Sequence, residues 1–180
     1  MKKSKLFTVL AIGCMTVFAL TACGEKKDNA NDNGSTVKPT ETVKETDKKV
    51  EVNVKEFAKE IAEKRTDVSL VEMTEDYVSG ILSVDLTKVS DYSVYVDASG
   101  AGVDEYGIFK ANEGAGEEVQ SMLESYLDMR LESWMDEYMP EEKPKVENAV
   151  VKNYGDYYVY VILSDSEQEA FYTAFEDASK

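Results

Sequence analysis

Carboxylates, tyrosines and one arginine are the residues of this 180-residue sequence best placed to do chemistry. Histidine is absent, and the only cysteines are Cys14 and Cys23. Zinc sites of the His/Cys type and histidine-based triads are thereby excluded. Acids number 36 against 20 Lys and Arg, so coincidental pairs are certain. Asp97, Asp104 and Glu105 bracket a Gly-rich turn, and Asp136, Glu137, Glu141 and Glu142 surround Pro140. Such acids could form a glycosidase pair or a calcium site, but solvated surface is their default role. No nucleophile–base motif is visible, so the expectation is no enzyme, no metal and no cofactor. A carboxylate-based hydrolase ranks third among the readings.

Arg130 is the distinctive cation, one of two arginines in the chain. Stepping 100° per residue along a helix puts it inside an apolar stripe of Val119, Leu123, Tyr126, Leu127, Trp134 and Tyr138. A guanidinium there must pair with a carboxylate, donate to backbone carbonyls or open on a pocket. The expected role is a structural ion pair with Asp104 or Glu105; the alternative is an anchor for an anionic ligand. Tyrosines make the second cluster. Tyr157, Val159, Val161 and Leu163 alternate with Tyr158, Tyr160 and Ile162, so both faces of that strand are apolar or aromatic. A central strand covered on both sides explains this pattern. The sharper reading is an exposed platform of Tyr95, Phe109, Tyr158 and Tyr160 that binds a glycan, a peptide or a partner domain.

Positioning begins at the N-terminus. Lys2, Lys3 and Lys5 precede an apolar segment, Leu6 to Leu20, which is short for a membrane span of roughly twenty residues. Leu20-Thr21-Ala22-Cys23 resembles the lipobox of bacterial lipoproteins, in which the cysteine thiol takes a diacylglyceryl group before cleavage. Residues 1–22 then read as a signal peptide and Cys23 as the acylated, palmitate-bearing first residue of the mature chain. Residues 23–50 read as a flexible linker with six lysines and six acids, spanning roughly 30 Å. Three lysines leave with the leader, so 17 cations face 36 acids and the mature charge is −19. Such a surface disfavours nucleic acid and anionic headgroups.

Residues 51–180 read as one globular domain. Asn53 and Glu56 suggest a capping box, followed by a helix with Val54, Phe57, Ala58, Ile61 and Ala62 on one face. Residues 66–90 hold apolar positions in short, irregular pieces. Tyr92–Val96 and Glu105–Lys110 form a hairpin, and Glu117 to Tyr138 a long helix stopped by Pro140. Asn148–Lys152 and Tyr157–Leu163 form a second hairpin, and Ser164 or Asp165 caps a last helix with Phe171, Ala174, Phe175 and Ala178 inward. The predicted fold is α+β: a four-stranded antiparallel sheet of two hairpins joined by a long helix, with flanking N- and C-terminal helices packed mainly on one side.

Several short motifs, Asp104-Glu105, Tyr138–Glu142 and Asn148–Tyr157, together with the hairpin and Arg-bearing helix, resemble the DUF4358 family over roughly residues 70–176. The resemblance implies a domain found largely on lipoproteins of Firmicutes, and it supplies no activity. The expected protein is lipid-anchored at the extracytoplasmic face of the cell membrane and acts as a non-catalytic binding or interaction module. Its expected partners are the membrane, through Cys23, and an envelope protein or small ligand. The runner-up is a ligand receptor or calcium-dependent accessory protein.

Overall fold

The computed structural model describes residues 51–180, so the expected leader, Cys23 and the linker lie outside the described residues. The elements run α1 (Val54–Lys64), β1 (Leu70–Glu72), α2 (Glu75–Gly80), β2 (Val89–Asp97), β3 (Glu105–Ala111), α3 (Gly116–Glu132), α4 (Lys143–Glu147), β4 (Val151–Tyr154), β5 (Tyr157–Ile162) and α5 (Asp165–Ala178). The strands make one antiparallel sheet ordered β1-β2-β3-β5-β4. The hairpins β2–β3 and β4–β5 are joined by a connection that carries α3, as the α+β reading expects. The sheet has five strands, not four. β1 spans three residues at the edge, with Leu70 opposite Asp97. Leu-Val-Glu is too short to display alternation, so its strand character comes from its pairing rather than from its own pattern. Among the described residues no helix is long and apolar enough to cross a membrane.

The sheet divides two apolar clusters. On one side Tyr95, Tyr106, Ile108, Val159 and Val161 pack with Val54 and Ala58 of α1 and Phe171 and Phe175 of α5. On the other, Val94, Phe109, Tyr158, Tyr160 and Ile162 meet Val78 of α2, Leu123 and Leu127 of α3 and Val146 of α4. Helices thus cover both faces, which corrects the expectation of a mainly one-sided arrangement. Every residue of β5 is buried, and a strand with no polar face needs a cover on each side.

Two boundaries and one helix face differ from their expected places. α3 stops at Glu132 rather than near Tyr138. Trp134 then turns inward against the core while Tyr138 stays exposed; no Gly or Pro lies between Gly116 and Pro140, so periodicity alone overruns the true end. The segment before the second hairpin starts with the five-residue α4, with Pro144 in its first turn. That shifts the strand to Val151–Tyr154. In α5, Tyr172 is buried and Ala174 exposed. The caps fall where expected. Asn53 accepts from the Glu56 N–H at 3.2 Å, and Ser164 and Glu167 form a capping box.

Candidate functional site

Asp104 and Glu105 stand at the start of β3, where successive side chains leave opposite faces of the sheet. One carboxylate is therefore sent to each helical layer, and each meets one of the two arginines. Glu105 is wholly buried. Arg130, in the last turn of α3, places Nη1 2.5 Å from Glu105 Oε2. The Tyr126 and Tyr160 hydroxyls donate to Glu105 Oε1 at 2.7 and 2.6 Å. Arg130 Nη1 also donates to the Tyr126 hydroxyl at 2.9 Å. A buried carboxylate is tolerable only when so fully paired.

Gly107 makes this arrangement possible. A β-carbon there would lie 2.3 Å from the Tyr160 ring, so only glycine lets that ring cross β3 and bring its hydroxyl to Glu105. Burial, then the Glu105 charge, pushes both Tyr126 and Tyr160 above the ordinary phenol range. Burial opposes the charge on Arg130, yet Glu105 and Tyr126 outweigh it and hold the guanidinium well above its usual range.

Asp104 is served differently. Arg65, just past α1, donates through Nη2 to Asp104 Oδ2 at 2.6 Å, and Lys145 of α4 lies 2.7 Å from Oδ1. Both cations are shared with other acids. Arg65 also meets Glu167 at 3.0 Å, and Lys145 meets Glu142 at 2.8 Å. Burial lowers the Lys145 pKa, but its bonds to Asp104 and Glu142 raise it on balance. Arg65 Nη1 is buried with no hydrogen-bond partner among the described residues. A polar cleft of about 550 Å³ opens here, lined by Thr66, Ser69, Asp97, Asp104, Glu142 and Lys145. Among the described residues no group of three or more acids is placed to hold a metal ion.

The aromatic platform takes another form. Tyr95, Phe109, Tyr158 and Tyr160 are all at most 8% exposed, and the first two belong to different clusters on opposite faces. Their shared burial sets aside the alternative of an exposed platform: α1 and α5 cover Tyr95, while α2 and α3 cover the others' face. Arg130 and Glu105 come together; Asp104 does not join them. Arg65, Lys145 and Tyr126 are the partners that sequence reasoning missed. A consecutive Asp-Glu opening a strand, in a chain with only two arginines, is the signal that could have found Arg65. An isolated glycine inside β3 could have flagged the Tyr160 crossing.

These features define an α+β domain whose sheet is covered on both faces and pinned at one end by two buried carboxylates. The DUF4358 profile, described as a domain of unknown function, matches residues 64–163, and the chain belongs to this family. No curated protein and no solved structure matches the chain.

Proposed function

We propose that the chain is a lipoprotein, anchored through Cys23 at the extracytoplasmic face of the cell membrane, whose domain acts as a non-catalytic binding or interaction module. The anchor is supported by Leu20-Thr21-Ala22-Cys23 behind its lysine-led apolar segment. One observation carries the non-catalytic part: the sole fully buried carboxylate among the described residues, Glu105, is held by Arg130 and two phenols. A catalytic acid or base must be able to exchange its proton with a substrate in a cleft. Glu105 instead faces the packed interior, and Asp104 beside it is clamped by Arg65 and Lys145. Arg130 is accordingly a positioning residue for the fold rather than a ligand anchor.

Two variants test the two halves. Cys23→Ala is expected to shed the domain into the medium or leave unprocessed precursor, read by fractionation and mass spectrometry. Normally acylated protein in that variant would sink the anchor. Arg130→Met is expected to lower stability while leaving the set of envelope proteins captured by the chain unchanged. Unaltered stability with a lost partner would overturn the structural role.

A further inference from the structure

The N-terminus of α3 opens on a second cleft of about 470 Å³, lined by Asn112, Glu113, Gly114, Gly116, Asp156 and Tyr158 among others. α3 is 17 residues long, and its N-cap position is Ala115, which has no side chain to cap with. The backbone N–H groups of Gly116, Glu117 and Glu118 have no acceptor among the described residues. Helix ends of this kind are usually closed by a Ser, Thr, Asp or Asn, as Asn53 and Ser164 do for α1 and α5.

Tyr158 is the second, independent sign. The residue is 8% exposed and its ring lies in the core, yet it lines this cleft. A β-carbon on Gly116 would stand 2.2 Å from the Tyr158 hydroxyl oxygen. The hydroxyl therefore lies over the first residue of the helix, and it has no hydrogen-bond partner among the described residues. Phenylalanine would fill the same core position, so packing does not require the hydroxyl, which opens on the cleft rather than on the buried interior. The glycine keeps the hydroxyl in the cleft.

Three N–H donors, a phenol and the positive end of a long helix call for a negatively charged acceptor. The walls call for the opposite. Glu113 lines the cleft, Glu117 and Glu118 occupy the first turn, and the nearby Lys88 is bound to Glu118 at 2.7 Å. In a chain of net charge −16 a multiply charged anion such as phosphate would be repelled. A ligand with a carboxylate and an ammonium a few ångströms apart satisfies both demands.

We propose that this cleft binds a small zwitterion of the amino-acid type, its carboxylate on the N-terminus of α3 and the Tyr158 hydroxyl, its ammonium toward Glu113. The site is separate from the Asp104–Glu105 pair. It rests on the binding-module reading and names a ligand class for it.

The test is ¹⁵N amide NMR on the purified full chain in mild detergent. The probes are glycine, L-alanine and glycylglycine, with acetate and methylammonium as half-ligands at equal ionic strength. Saturable shifts of the Gly116, Glu117 and Glu118 amides are expected with at least one zwitterion and not with either half-ligand. Tyr158→Phe should weaken that binding about tenfold, the worth of one hydrogen bond, with an unchanged unfolding curve. Glu113→Gln, on the surface, should weaken it without risk to the core. No saturable shift up to about 20 mM of any zwitterion, which is weaker than millimolar affinity, would overturn the proposal. Equal binding of acetate, or unaltered affinity in Tyr158→Phe, would do the same. None of these failures touches the anchor or the capture of envelope partners, so the wider reading would stand or fall separately.

Discussion

Asp104 and Glu105 are adjacent in the chain and live in different physical regimes. Glu105 lies buried in the sheet–helix layer, with one arginine and two phenols that serve almost nothing else. Asp104 lies at a cleft, with two cations that each divide their charge among other acids. A second cation backs the first at Asp104; Glu105 has its two phenols but no cation besides Arg130. Arg65 also carries a buried N–H with no partner among the described residues, a defect that offsets about 1–3 kcal/mol of what its ion pair supplies. The lesson is that a buried charge becomes critical through the lack of substitutes, more than through the shortness of its contacts.

The largest expected consequence is at Arg130. Arg130→Met leaves Glu105 buried beside two phenols and without a cation, which should cost about 3–5 kcal/mol in denaturant unfolding. Alkali attacks the same layer without mutation. Tyr126 and Tyr160 keep their protons in the fold beyond the pH at which unfolded tyrosine ionises. Their contribution is thus fully present below about pH 10 and is lost as pH rises through the raised folded pKa, about 1.4 kcal/mol per phenol per pH unit. Tyrosinate absorbance from these residues should appear together with loss of structure; ionisation in an intact fold near pH 10 would break the contrast with the phenol-free Asp104 site. Tyr160→Phe removes one donor to a buried charge and should cost about 1.5–3 kcal/mol by the same unfolding measurement. Arg65→Met is expected to cost least, about 1 kcal/mol, because Lys145 remains on Asp104 and an unpaired donor disappears. A larger loss there than at Arg130 would reverse the comparison.

Much of this was legible before any coordinates, and the gaps have physical causes. Helical stepping places Arg130 in an apolar stripe, and that stripe's neighbour hairpin supplies Glu105 as one of two candidate partners. The cations of Asp104 were hidden because Arg65 follows the end of α1, and Lys145 sits in a segment whose helix is only five residues long. β5 announces in its composition that both its faces are buried, but composition does not say what buries them. The cover on the α3 side includes α2, from residues whose apolar positions follow no sustained period. Tyr158 and Tyr160 read alike in sequence, yet one hydroxyl meets Glu105 and the other meets a helix end. The glycine opposite each, Gly107 and Gly116, makes that distinction.

The pairing of Glu105 with Arg130 is tested most directly by a double-mutant cycle in denaturant unfolding with Glu105→Gln, Arg130→Met and the double variant. If Arg130 exists to hold Glu105, the double variant is more stable than the summed single losses allow, by about 2 kcal/mol or more. Additive losses, within about 0.5 kcal/mol, would contradict the account.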